Sequence, residues 1–382
     1  MKAIAITNPG IEEVAALEIR ELIGKKAKSI SSGESVVHFD AEDYHALCIL
    51  CYRTQSLARV LLLLESFEFS SIDDIGSIAK NMAGGGFRKL LTADTRFRVR
   101  CRREGNQDFS GRDVEDVIGK HIEGRVDLDS PEITIYAYIH GNKCHIGIDF
   151  AGFDLSKRHY RVFTHKDSLK ATVAYALVRL SGYEGKGSLL DPFCTTGTIP
   201  IEAALYACWF PVNHYRKENL AFLRFSFIDR ESVMNILEEE DRKIDHDKNT
   251  DIKGYDAMLA YVKASQKNAK IAGINKKVQF GKAEISWMDT KADKEQVDKV
   301  VTSLPPMPRK GSRKEGKKRI ESIYRDFFYQ CEFILNSKGR ITITADSPEV
   351  MRKHAEDYGF TIEKEITAMQ GKKQLNIFVI RK

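Results

Sequence analysis

The chain has no run of about 18 apolar residues, so no part of it is expected to span a membrane. Its start, Met1-Lys2-Ala3-Ile4-Ala5-Ile6-Thr7-Asn8-Pro9-Gly10, turns polar too soon to hold the apolar centre of a secretory signal. Cysteine is sparse: an odd seven, scattered over 382 residues. That usage fits a reducing, cytoplasmic location better than a disulfide framework. Cys48 and Cys51 form a lone CxxC, with no second pair and no histidine pair at ligand spacing, so no metal is expected. The stretch Tyr44-His45-Ala46-Leu47-Cys48-Ile49-Leu50-Cys51 reads as a buried helix face. Two phosphate-binding signatures are also missing. Without G-x-G-x-x-G or G-x-x-x-x-G-K-[ST], neither a dinucleotide oxidoreductase nor a nucleotide triphosphatase is indicated.

What is present is a soluble-type composition, 42% hydrophobic, long enough for two or three domains. Sixty basic against 54 acidic side chains give a net charge of +6, which only permits a nucleic-acid partner. The distribution says more. Arg309 to Arg319 holds seven cations and one anion, and its two readings are a solvated loop or a grip on phosphates through Lys314, Lys317, Lys318 and Arg319. A second cluster, Lys157-Arg158-His159-Tyr160-Arg161, sets cations around a ring. In Arg96-Phe97-Arg98-Val99-Arg100-Cys101-Arg102 the apolar side chains alternate with Arg96, Arg98, Arg100 and Arg102, as in a strand with one phosphate-facing side.

Residues 1–60 read as a small α/β unit: strand 2–7, a Pro9-Gly10 turn, then a helix from Ile11 to Ile23. Residues 61–152 read as a second unit with a helix at 72–81, the arginine strand, a helix at 108–122, and strands at 132–139 and 144–149. A linker at 153–168 leads to 169–382, where helices and strands alternate. Such alternation predicts a mostly parallel, doubly wound sheet with its ligand beyond the strand ends. The last two strands, on either side of 368–374, form an expected antiparallel edge hairpin.

The chemistry centres on Leu189-Leu190-Asp191-Pro192-Phe193-Cys194-Thr195-Thr196-Gly197-Thr198-Ile199-Pro200. A strand ends at an acid, a small-residue turn follows, and a helix begins with Thr198 as N-cap and Pro200 in its first turn. This turn lets backbone approach a ligand closely and aims helix N–H groups into the site. An acid before it suits an ammonium-bearing ligand such as the methionyl end of S-adenosylmethionine. At the next strand end, Asp256 of Gly254-Tyr255-Asp256 can accept from two ribose hydroxyls.

With these motifs in place the chain resembles the THUMP-domain class I methyltransferases, most of all the tRNA guanine-N2 methyltransferases. Thr7-Asn8-Pro9-Gly10-Ile11-Glu12, the arginine strand with Val117-Ile118-Gly119, the segment from Gly152 to Arg161 and the turn from Asp191 to Glu202 carry the resemblance. It implies a ferredoxin-like N-terminal unit, a THUMP module holding the tRNA 3′ end, and a Rossmann-like domain. It further implies methylation of an acceptor-stem guanine, at position 6 in the family, with S-adenosylmethionine as cofactor; the chain is separately expected to be a monomer.

Four positions depart from the family pattern. His159 stands where glycine is usual, and Thr195 occupies a position that a positive φ would strain. Lys282 stands where an adenine-contacting acid is usual, leaving Ala283 and Glu284 to fill that place. Ser303-Leu304-Pro305-Pro306 replaces the Asn/Asp-(Pro/Leu)-Pro-aromatic catalytic loop. Ser303 then offers a hydroxyl acceptor and Leu304 a backbone carbonyl, while Pro306 lacks a stacking ring, so stacking falls to Phe193 or Trp287. Two readings stand: an RNA methyltransferase with a reduced clamp, or an RNA-binding protein or subunit that keeps the fold with little transfer.

Overall fold

A computed structural model describes residues 1–83, 90–306 and 313–382, the side chains of 83, 313 and 314 excepted. The chain forms two units. The first comprises residues 1–7, 15–155 and 213–242, and the second comprises 8–14, 156–212 and 243–382.

The first unit is built on an eight-stranded sheet. Its strands are β1 (Lys2–Ile6), β2 (Ala27–Gly33), β3 (Val36–Ala41), β4 (Arg59–Glu68), β5 (Arg96–Glu104), β6 (Arg125–Val126), β7 (Ile133–His140) and β8 (Lys143–Asp149), in the order β2-β3-β1-β4-β8-β7-β5-β6. The hairpin β2–β3 was not anticipated from the sequence. The helices are α1 (Glu12–Ile23), which enters this unit at Ala15, α2 (Tyr44–Arg53), α3 (Ile72–Ala83) and α4 (Gly111–Gly119). Asp43 caps α2 by accepting from the Ala46 N–H at 2.8 Å, and Ser110 with Asp113 forms a capping box on α4. That box starts the helix at Gly111, later than the expected 108–122. Cys48 and Cys51 are buried in α2, as the apolar spacing implied. The core is completed by a segment distant in sequence: Leu220, Phe222, Phe225, Val233 and Leu237 pack with Leu47, Leu50 and Phe150. The helix Arg230–Arg242 is pinned to α2 by the buried pair Arg53–Glu240 at 2.8 Å and by the Tyr52 hydroxyl donating to Asp241.

The second unit carries the doubly wound sheet. Its strands are β9 (Ser188–Asp191), β10 (Asp251–Asp256), β11 (Gln279–Lys282), β12 (Val297–Ser303), β13 (Leu335–Thr344), β14 (Thr361–Gln370) and β15 (Lys373–Arg381). The order is β11-β10-β9-β12-β13-β15-β14, parallel from β11 to β13, and the hairpin β14–β15 closes the edge antiparallel as anticipated. Helices α5 (Ala171–Leu180) and α6 (Thr198–Ala207) follow the start of the unit. The Arg230–Arg242 helix, α7, belongs to the other unit. Then come α8 (Leu259–Ile271), α9 (Arg313–Ile334) and α10 (Pro348–Asp357). Separate apolar cores lie under α5, α6 and α8 and under α9 and α10, as two covered faces require.

The opening motif belongs to this unit. Asn8 donates to the Met369 carbonyl (2.9 Å) and accepts from the Thr172 hydroxyl (2.7 Å). Gly10 has φ +90°, and a Cβ there would lie 2.0 Å from the Thr367 carbonyl oxygen, so only glycine fits. The motif is an anchor on the edge hairpin.

Candidate active site

The strand order reverses at β9: the chain winds outward to β10 and β11, then returns to β12 on the other side. A crevice at such a switch point is where parallel sheets bind ligands. Three polar residues end the three strands that frame it: Asp191 on β9, Asp256 on β10 and Ser303 on β12. Asp191, Phe193, Cys194, Thr195, Thr198 and Ser303 line one cavity. The turn and the loop that the sequence singled out therefore meet.

Asp191 is fully buried. Its Oδ1 accepts from the Thr302 hydroxyl (2.5 Å) and the Phe193 N–H (3.1 Å). Burial pushes its carboxyl up to about 7, the two hydrogen bonds oppose that, and nearby Asp256 adds to it. Asp256 is half-buried, and burial raises its carboxyl too. It accepts from the Thr195 N–H (3.0 Å) and the Met258 N–H (2.8 Å), tying the turn to β10. Ala283 donates its N–H to the Asp256 carbonyl (3.2 Å) and Glu284 follows, exposed, so these two lie at the end of β11 beside β10.

Thr195 does adopt a positive φ, +50°, and its hydroxyl donates to the Phe193 carbonyl (3.1 Å). Thr196 is buried, its hydroxyl 3.0 Å from that of Ser168, and its carbonyl accepts from Asn268. The N-cap differs from expectation. Gly197, at φ +80°, precedes the helix, Thr198 is already its first residue, and no side chain caps it. A left-handed residue at the cap leaves the first N–H groups of α6 without a side-chain acceptor, facing the turn.

Leu304 is buried, and its N–H donates to the Thr344 carbonyl (3.0 Å), with Pro305 and Pro306 half-buried beyond it. Phe193 lines the same cavity as Ser303 and packs its ring on Phe327 (6.2 Å between centroids). Trp287 stands 61% exposed on the turn Ile285–Thr290, outside that lining. Sequence reasoning missed Asp167 and Ser168 in the lining, and Thr302 and Thr344 behind it. The last two could have been found as hydroxyls at the ends of adjacent parallel strands.

The basic residues separate. Arg158 is a correction: its guanidinium is buried against Glu202 (2.9 and 3.2 Å), which also accepts from the Tyr160 hydroxyl (2.7 Å). A fully paired, water-excluded arginine offers nothing to RNA, because its donors are spent on a carboxylate. His159 keeps a negative φ, which is why glycine is not needed there. Lys157 is exposed and Arg161 half-buried. On β5, Phe97 and Val99 are buried, Arg96 and Arg100 are exposed, and Arg98 and Arg102 are half-buried. Arg96 pairs with Glu132 (3.1 Å), Arg102 with Glu104 (2.5 Å), and Arg98 donates to the Thr134 hydroxyl (3.1 Å). Lys317, Lys318 and Arg319 are exposed on the first turns of α9, so this part of the basic run is helical and not a loop. The side chain of Lys314 and residues 309–312 lie outside the described residues.

A doubly wound sheet with an acid-ended turn at its switch point defines a class I methyltransferase fold. The chain belongs to the family described as RMKL-like, methyltransferase domain, whose model matches residues 158–376. A THUMP domain matches residues 69–149. The chain is similar to a tRNA (guanine(6)-N2)-methyltransferase of Methanocaldococcus jannaschii, 26% identical with 98% of each chain covered. It is also similar to one of Archaeoglobus fulgidus, 26% identical over 94% of this chain and 87% of that one. Among solved structures, the putative methyltransferase SMU.472, complexed with S-adenosylhomocysteine, shares the fold with a TM-score of 0.82 and 18% identity, covering 100% of this chain and 97% of that one.

Proposed function

We propose that this protein is a tRNA methyltransferase that moves the methyl group of S-adenosylmethionine to the N2 of a guanine in the acceptor stem. The observation that carries the reading is the meeting of Asp191, Asp256 and Ser303 at one switch point, in a chain matched end to end by tRNA guanine-N2 methyltransferases. The residues present fit the cofactor. Gly197 lets the turn pack tightly on the protein beneath it, since a Cβ there would lie 2.9 Å from the Ser265 Cβ. Among the described residues, both donors to Asp191 use the same oxygen, which leaves the other for an ammonium group. Asp256 keeps lone pairs for ribose hydroxyls while it holds the turn.

The cofactor supplies an electrophilic methyl group on a sulfonium. The chain's own work is binding and alignment. An exocyclic guanine amine is a weak nucleophile, so positioning it in line with the methyl carbon does most of the catalysis. Ser303 Oγ and the Leu304 carbonyl accept the amine's two N–H bonds, and Phe193 stands in the lining to meet the base. With the amine so aligned, the methyl group would pass from sulfur to nitrogen, and Ser303 and Leu304 would hand the released amine proton to water. The exposed cations Arg96, Arg100, Lys157 and Lys317 to Arg319 meet phosphates of an RNA whose 3′ end the THUMP unit holds, and the protein works as a cytoplasmic monomer.

The test is transfer of labelled methyl from S-adenosylmethionine to unmodified tRNA under enzyme excess, with N2-methylguanosine read by mass spectrometry. No label above background, with S-adenosylhomocysteine binding intact, sinks the transferase reading and leaves an RNA-binding subunit with a degenerate loop.

A further inference from the structure

The serine that replaces the usual amide or acid of the catalytic loop does not stand alone. At the end of β12, successive residues reach to opposite neighbouring strands: Thr302 donates its hydroxyl to Asp191 on β9, and Ser303 accepts the Thr344 hydroxyl on β13 at 2.8 Å. Ser303 and Thr344 are register partners in the parallel pairing, and the Thr344 carbonyl also accepts the Leu304 N–H (3.0 Å). Thr344 is thus bound to the loop twice, once through backbone and once through its side chain. It is itself held, buried, between β12 and β15, where it pairs with Ile377. The next residue, Ala345, donates its N–H to the Asn376 carbonyl (3.1 Å).

A serine hydroxyl is a poor organiser, because its side chain has three staggered wells and its proton rotates freely. An incoming donor removes both freedoms. Donation from Thr344 selects one rotamer, occupies one of the two Oγ lone pairs, and leaves the other lone pair and the O–H for the cavity. The geometry points to Thr344 as a positioning residue that turns Ser303 into a fixed acceptor for the target amine, in place of the side-chain carbonyl that the loop lacks. This rests on the methyl-transfer reading above.

The experiment compares wild type with Thr344→Val, Thr344→Ser, Ser303→Ala and the double variant Ser303→Ala/Thr344→Val. Each is assayed by single-turnover methyl transfer to tRNA, by S-adenosylhomocysteine calorimetry and by thermal unfolding. Valine keeps the shape of threonine and removes the donor. Expected is a fall of about tenfold in the single-turnover rate constant at saturating enzyme for Thr344→Val, with the enzyme concentration giving half-maximal rate and the S-adenosylhomocysteine affinity unchanged. Thr344→Ser restores the rate, and the double variant is no slower than Ser303→Ala, because the two hydroxyls act as one unit. A wild-type rate in Thr344→Val, additive losses in the double variant, or no rescue by serine would overturn the positioning role while wild-type transfer still supports the enzyme. If the wild type transfers no methyl, the enzyme reading falls and this role falls with it.

Discussion

The carboxylate of Asp256 accepts the backbone N–H of Thr195 at 3.0 Å, and so holds a β-branched residue at φ +50°. The end of β10 thereby props the turn after β9. A left-handed conformation costs a non-glycine residue about 1–2 kcal/mol, and here a carboxylate and the Thr195–Phe193 contact offset it.

Two substitutions in this turn should part company. Thr195→Gly relieves the φ strain while adding unfolded-state entropy, so denaturant unfolding should move by no more than about 1 kcal/mol. Gly197→Ala adds a Cβ 2.9 Å from Ser265 and 3.0 Å from Phe280 at φ +80°. It should cost about 2 kcal/mol or more and weaken S-adenosylhomocysteine binding. Equal tolerance of both would mean the turn is not held as described.

Asp191 should make ligand binding depend on pH. Its carboxyl is pushed by burial up to about 7, against an unfolded value near 3.8. A raised folded value means that its stability contribution is full below pH 3.8 and is lost as pH rises through about 7. An ammonium-bearing ligand favours the ionised form, so S-adenosylhomocysteine affinity should rise between pH 5.5 and about 7, with proton release on binding. Calorimetry in buffers of different ionisation heat reads both effects, and Asp191→Asn should flatten them. A pH-independent wild type would remove the carboxylate from the ammonium site.

Arg158 and Glu202 should behave as a structural pair. Replacing Arg158 with methionine leaves the buried Glu202 carboxylate without its guanidinium, and about 3–5 kcal/mol of unfolding free energy should go. The double variant Arg158→Met/Glu202→Leu should recover most of it. Loss of tRNA affinity in Arg158→Met with stability unchanged would return this arginine to the RNA surface.

A fragment ending at residue 155 should not fold by itself. It lacks Leu220, Phe222, Phe225, Val233 and Leu237, each buried in the first unit's core and each worth about 1.5–3 kcal/mol. Such a fragment should bind a hydrophobic dye and unfold without a cooperative transition. A sharp thermal transition equal to that of the same unit in the full chain would contradict the assignment of 213–242 to that core.

Local pattern made much of this protein legible. The period-two arginine strand, the alternation after residue 169, the edge hairpin and the acid-ended turn all depend on residues near one another in sequence, where side-chain period and turn chemistry act directly. The positive φ at Thr195 could be anticipated for the same reason. Tertiary structure alone decided the rest. Arg158 and Lys157 are neighbours with the same charge, yet one is buried because Glu202, 44 residues on, is folded against it. Ser303 is fixed by Thr344, 41 residues away, because β12 and β13 run parallel in register. Residues 213–242 leave the sheet whose strands surround them in sequence, because the first unit's core has an apolar face that α7 covers. Pairings across such distances are set by strand order and packing, which no local periodicity encodes.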